Sequence, residues 1–175
     1  MLPFYIIFKG KHLWDIWCQG GPPGCFYNVS ESGWMETSLF TEWFKAVFLP
    51  NVAHIKDPKI LLMDGHASHI SCEVVDLARE NDVHLFCFPS NSSHLTQPID
   101  VALLKPAKTV FRGEVESHGL ATNFVEICKQ TFNGIFAKVV NSGKAFLRRH
   151  VVAGFEATGQ CFFIILRFKE LKKMT

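Results

Sequence analysis

The sequence predicts an α/β fold in which parallel strands are flanked by helices. Residues 60–63 are continuously apolar, which is typical of a strand buried on both faces, and residues 83–88, which end before Pro89, predict another buried strand. Between them, Ser71 is expected to cap a helix that ends at Asn81. A strand, a helix and a strand within about 30 residues form a βαβ unit, whose two strands pair in parallel.

The other elements follow from local composition, in chain order. Residues 4–8 predict another buried strand, and the glycines and prolines of 20–24 predict an irregular loop. A helix is expected to take Thr37 or Ser38 as its cap and to stop at Pro50. Three more helices are predicted after Asp100: one towards Phe111, one over 122–141 with Phe124 and Cys128 facing inward, and one over 150–157 before Gly159.

The bulk composition indicates a folded, intracellular, soluble chain. Hydrophobic residues make up 48% of the 175, including 17 Phe, which excludes a disordered chain. The net charge of +2 gives no overall field that would require a nucleic-acid partner. The six cysteines contain no CxxC pair and are expected to be reduced. No apolar run reaches the roughly 20 residues that span a bilayer.

Two acidic residues follow the two strands of the βαβ unit. Asp64 comes directly after the first strand, and Asp100 follows the second strand and a loop. Because the carboxyl ends of parallel strands meet at one edge of a sheet, we expect the two carboxylates to lie close together. Facing carboxylates suit Mg²⁺ or Mn²⁺, which prefer oxygen ligands. Each acid alone is equally explained as a turn or helix-cap residue, so the pair carries the prediction.

Other chemistries are weaker alternatives. A zinc site would combine Asp64 with three histidines, His66, His69 and His94. Histidines in a turn beside a carboxylate more often orient that carboxylate or face solvent. A serine hydrolase is disfavoured because the chain has no G-x-S-x-G elbow.

Several motifs in combination resemble one known family. They are Leu-Leu-Met-Asp-Gly-His-Ala-Ser-His at 61–69, His-Leu-Thr-Gln-Pro-Ile-Asp at 94–100, Phe-Lys-Gly at 8–10, and Val-Ser-Glu-Ser-Gly-Trp-Met at 29–35. Together they resemble the DDE superfamily endonuclease domain of pogo/mariner-type transposases, which includes the tigger, jerky and centromere protein B groups. We therefore expect this domain at 1–159 and a divergent tail at 160–175.

The resemblance implies an RNase H-like fold and two-metal phosphodiester chemistry with Mg²⁺ or Mn²⁺. On the family pattern, Asp64 is the second acidic ligand and Asp100 the third. The family's first catalytic aspartate precedes the segment that matches Met1. The resemblance thus implies an incomplete RNase H-like fold that lacks the first two strands, with weak or absent metal binding. The other aspartates do not stand at a position that matches this first catalytic residue; they are Asp15, Asp57, Asp76 and Asp82.

These expectations give a transposase-derived domain that binds DNA in the nucleus and is not a competent endonuclease as this chain. Five cations are predicted to bind the phosphates: Lys105, Lys108, Arg112, Arg148 and Arg149. The sequence leaves open whether the chain forms a homo-oligomer, and no membrane partner is expected. The alternatives are an active endonuclease completed by upstream sequence or by a partner chain, and a non-catalytic interaction module or relic of a mobile element.

Overall fold

A computed structural model describes residues 1–89 and 92–160, so the predicted tail beyond Gln160 lies outside the described residues. The strands are β1 (Tyr5–Lys9), β2 (Phe26–Ser30), β3 (Lys59–Met63) and β4 (Val83–Cys87). The α-helices are α1 (Thr37–Trp43), α2 (Leu49–Val52), α3 (Cys72–Glu80), α4 (Ser93–Thr96), α5 (Leu104–Ala121), α6 (Lys129–Asn141) and α7 (Arg148–Ala157). Parallel strands mixed with helices confirm the α/β class.

The predicted βαβ unit is present. β3 and β4 pair in parallel, with Met63 opposite Cys87 at their carboxyl ends, and α3 connects them. The Ser71 hydroxyl caps α3, accepting a hydrogen bond from the backbone N–H of Val74 at 3.2 Å. Asn81 follows the last turn of α3, as predicted. β1 and β2 form a second parallel pair.

The chain forms two compact units. The first comprises residues 1–87 and 125–137, and the second comprises residues 88–124 and the chain from 138 onward. In the first unit the run from α1 to α2, together with α3, packs on β3 and β4, burying Phe40, Phe44, Phe48, Met63, Val74, Ala78 and Val83. In the second unit α5 packs on the last turn of α6 and on the segment that follows it, burying Ala107, Val139 and Ala145. No helix among the described residues is long and apolar enough to span a bilayer.

The strands of the βαβ unit are less buried than predicted. In β3, Met63 is buried, whereas Ile60, Leu61 and Leu62 are half-buried. Strands that are apolar throughout are typical of sheets with neighbours on both sides and cover on both faces. Within the described residues this sheet contains two strands, so each strand keeps one unpaired edge.

The helical run that starts at Thr37 continues past Pro50 to Val52, so the predicted stop is wrong. A proline ring normally collides with the carbonyl four residues earlier in an α-helix. Here a π-helical turn at Phe44–Phe48 precedes the proline, and the backbone N–H of Leu49 bonds to the carbonyl five residues back. This wider turn accommodates the ring.

The start of the same run also differs from the prediction. Glu36 occupies the N-cap position, and its side chain makes no capping hydrogen bond. Thr37 and Ser38, the predicted caps, instead lie within the first turn of α1. The sequence therefore located this helix correctly but assigned its cap to the wrong residue.

α5 is longer than predicted and runs past Phe111 to Ala121. No proline follows Pro106 in this stretch. The helix includes Gly113 and Gly119, each of which costs about 1 kcal/mol relative to alanine. Packing of the apolar face of α5 outweighs this cost.

α6 begins at Lys129, later than the predicted helix over 122–141. Thr122 ends α5 instead, donating its hydroxyl to the carbonyl four residues earlier at 2.8 Å. The next two residues adopt left-handed backbone angles (φ 53° and 60°), so the chain leaves the helix. Phe124 is 76% exposed and Cys128 is exposed, so neither faces inward as predicted.

Gly154 allows α7 to approach the segment that carries Asp100. A Cβ at Gly154 would lie 2.4 Å from the carbonyl oxygen of Pro98, well inside van der Waals contact. Pro98 leads directly into a π-helical turn, Ile99–Leu103, which contains Asp100. The absence of a side chain at Gly154 therefore helps to determine where Asp100 lies in the second unit.

We expect Gly154→Ala to destabilise the protein by about 1–3 kcal/mol, because the methyl group has to displace backbone. The matched control is Gly113→Ala, in α5 of the same unit, where a Cβ meets nothing within 4 Å. That control should stabilise by about 0.5–1 kcal/mol. Urea unfolding followed by circular dichroism measures both. Equal stability of the two variants would show that α7 is not tightly packed at Pro98.

Candidate metal and nucleic-acid site

Asp64 lies at the carboxyl end of β3, and a tight turn fixes its carboxylate. Oδ1 accepts a hydrogen bond from the backbone N–H of His66 at 3.2 Å. The same oxygen lies 2.7 Å from Nδ1 of His69. The Asp64 side chain is 44% exposed, and its second oxygen has no partner among the described residues. One oxygen is thus held while the other is available to a ligand.

His69 is the side chain that contacts the Asp64 carboxylate. Its ring packs on Phe40, with 4.6 Å between ring centroids, and its side chain is 17% exposed. Nδ1 of His69 is buried, and it has the distance of an ion pair to Asp64 without the alignment of a hydrogen bond. Packing on Phe40 therefore holds the imidazole beside the carboxylate, as expected for a histidine that orients an acid.

The neighbouring histidine faces a different partner. Nδ1 of His66 lies 2.8 Å from Oγ of Ser68 and accepts a hydrogen bond from the Ser68 backbone N–H at 3.3 Å. Ser68 is buried, so its hydroxyl is not presented to a substrate. Over residues 1–89 and 92–160, no three His, Cys, Asp or Glu side chains gather where a metal ion could be held.

The charge of Asp64 reaches the end of the neighbouring strand. Burial raises the pKa of the Cys87 thiol, and the nearby Asp64 carboxylate raises it further. By contrast, Asp57 and Asp82 precede β3 and β4, and the backbone N–H of Lys59 bonds to the Asp82 carbonyl at 3.1 Å. These two acids lie at the opposite end of the paired strands from Asp64.

Asp100 lies in the second unit, half-buried in the wall of a groove of about 760 Å³. We call this the first groove; Ser93 and His94 also line it. Three exposed cations of α5 share its walls with Asp100: Lys105, Lys108 and Arg112. In the part of the chain that the structure describes, no carboxylate lies within ion-pair distance of these cations.

The three cations form a stripe because of their spacing in α5. Lys105, Lys108 and Arg112 are separated by three and four residues, so they project from one face of the helix. Seven residues of helix extend about 10 Å. Ala107 lies on the opposite face and is buried in the core of the second unit. The stripe is thus directed away from that core.

A second groove, of about 450 Å³, adjoins the first and shares Val101, Lys105 and Thr109 with it. Lys144, Arg149 and His150 line this second groove. Arg148 is exposed and lines neither groove. The sequence prediction did not include Lys144 or His150 among the site residues, although the basic cluster around Arg148 and Arg149 was the signal for them.

Asp64 and Asp100 belong to different units, and their convergence stays a prediction. Each fits a hard cation by chemistry, since both present carboxylate oxygen that no described residue engages. Two carboxylates are too few ligands for a two-metal site, which requires several fixed ligands. DDE endonuclease domains generally use divalent metals.

Comparison with known proteins gives one family. A family model described as DDE superfamily endonuclease matches residues 1–147. The chain is 29% identical over 115 residues to a Cochliobolus lunatus protein named MFS-type transporter clz9, covering 65% of this chain and 12% of that protein. It is 29% identical over 96 residues to Tigger transposable element-derived protein 7 of Homo sapiens, covering 49% of this chain and 17% of that protein.

The chain spans less than a fifth of the length of either curated relative. No solved structure matches. The family match covers most of the chain and includes both Asp64 and Asp100, and the tigger relative supports the predicted pogo/mariner-type group. The chain belongs to the DDE superfamily of endonucleases.

Proposed function

We propose that this chain is a transposase-derived domain that binds nucleic acid along the first groove. The observation that carries the proposal is the stripe of cations beside Asp100, which have no ion-pair partner in the described ranges 1–89 and 92–160. Phosphate backbones bind mainly by charge, releasing the counterions condensed on them. Lys105, Lys108 and Arg112 project together into an open groove, which is the arrangement that binding to a backbone requires. A DNA ligand in turn implies a nuclear location.

Asp100 adds to this surface a carboxylate that suits a divalent metal ion. A carboxylate in a purely charge-driven binding groove would weaken affinity for phosphate. A carboxylate that holds Mg²⁺ or Mn²⁺ would instead bring the cation to the wall along which the phosphates lie. We therefore propose Asp64 and Asp100 as the second and third acidic ligands of an RNase H-like active site.

The same proposal makes the 175-residue chain inactive by itself. Two-metal catalysis clamps the attacking and leaving oxygens between ions about 3.5–4 Å apart, so it requires more ligands than two carboxylates. In the βαβ unit, Asp57 and Asp82 lie at the end of the strands remote from Asp64. One weakly held ion is the expected state.

The second candidate function is an active endonuclease that upstream sequence or a partner chain completes. The observation that favours it is that this chain covers only 12% and 17% of the two relatives.

Binding to DNA should depend on the stripe. We expect Lys108→Ala combined with Arg112→Ala to weaken duplex binding and to reduce the slope of log K against log salt by about 0.9 for each phosphate that is no longer neutralised. Fluorescence anisotropy of a labelled duplex over about 50–200 mM salt measures the slope. The control is Arg79→Ala combined with Lys138→Ala, which removes the same charge at exposed positions outside both grooves.

The control variant should retain the wild-type slope. Absence of binding by the wild type at low salt would contradict the proposal. An equally weakened control variant would contradict it as well, because net charge rather than the stripe would then be responsible.

Cleavage separates the two candidate functions. We expect no Mn²⁺-dependent nicking of a supercoiled plasmid by this chain, because its acidic set is incomplete. If the second candidate is correct, a version extended upstream in frame nicks the plasmid and loses that activity with Asp64→Asn. Nicking by the 175-residue chain that Asp64→Asn abolishes would refute the proposed inactivity.

A further inference from the structure

The second groove carries an inference that rests on the proposed function and deepens it. Lys105 and Thr109 stand between the two grooves and line both of them. Successive residues of an α-helix are rotated by about 100°, because a turn contains 3.6 residues. Relative to Lys105 and Thr109, Lys108 and Arg112 therefore fall on one side of α5, and Pro106 falls on the other. The exposed ridge of α5 thus separates two grooves.

The second groove has its own cations on the wall opposite α5. Lys144 follows α6, and Arg149 lies in the first turn of α7. No acidic residue of the described part of the chain lines this groove. Among the described residues, neither Lys144 nor Arg149 has a carboxylate within ion-pair distance. As far as the structure describes the chain, the ridge therefore has unpaired positive charge on both flanks.

We infer that the second groove binds the other phosphate backbone of a DNA duplex, so that the first half of α5 lies in the major groove. The major groove is about 12 Å wide and admits an α-helix, and a helix with its side chains is about 10–12 Å across. A helix in that position has one backbone on each side. Cations on both flanks of α5 match this arrangement, whereas a single strand has one backbone and engages one groove.

The charge along α5 limits the docked segment. The cations end at Arg112, and Glu114 and Glu116 follow. These carboxylates repel phosphate, so the segment that enters the groove extends from Leu104 to Arg112.

The test compares a duplex with a single strand of the same sequence and length. Lys144→Ala combined with Arg149→Ala is expected to reduce the salt slope for the duplex by about 1.8, which corresponds to two phosphates, and to leave the single-strand slope unchanged. Lys108→Ala combined with Arg112→Ala should reduce both slopes. Arg148→Ala provides the closest comparison with Arg149→Ala, because the two residues are adjacent on α7, exposed and equally charged.

The inference requires Arg149→Ala to weaken duplex binding more than Arg148→Ala. Equal effects of these two variants would overturn it, and so would equal reductions of the duplex and single-strand slopes in the second-groove variant. Wild-type chain that binds neither nucleic acid would refute the proposed function itself. All substituted side chains are exposed, and unchanged thermal unfolding of each variant confirms that the fold is retained.

Discussion

Parallel pairing of β3 with β4 is the constraint on which the account of the site depends. Parallel strands require a crossover, and α3, capped by Ser71, supplies it. The pairing places Met63 beside Cys87, so that Asp64 emerges at the carboxyl edge of both strands. An antiparallel pair would have placed the two carboxyl ends at opposite edges. The raised pKa of Cys87 agrees with this position of Asp64.

In the second unit, close packing and the repeat of an α-helix position the charged side chains. Close packing at Gly154 sets the segment that contains Asp100, and the helical repeat of α5 then places Lys105, Lys108 and Arg112 along one groove. The acid and the cations are thus parts of one continuous stretch of backbone. The surface proposed to bind phosphate and the carboxylate proposed to hold a metal ion are combined within about a dozen residues.

Much of this was predictable from sequence, and the exceptions have physical causes. The βαβ unit and the Ser71 cap follow from apolar runs and a short capping signal, which depend on local sequence. Pro50 predicts a stop that does not occur, because the π-helical turn before it has no signature in composition. The start of α6 was misplaced because Thr122 can begin a helix or end one. The basic cluster near Arg148 is visible in the sequence, but tertiary packing decides which of its members line the second groove.

Our central proposal for catalysis is that Asp64 and Asp100 share one divalent ion, and Mn²⁺ binding to Asp64→Asn, Asp100→Asn and the double variant tests it most directly. Electron paramagnetic resonance of free Mn²⁺ gives the affinities. If the acids share an ion, either single substitution removes most of the affinity and the double variant loses little more. Additive losses, or a wild-type affinity in either single variant, would contradict a shared site.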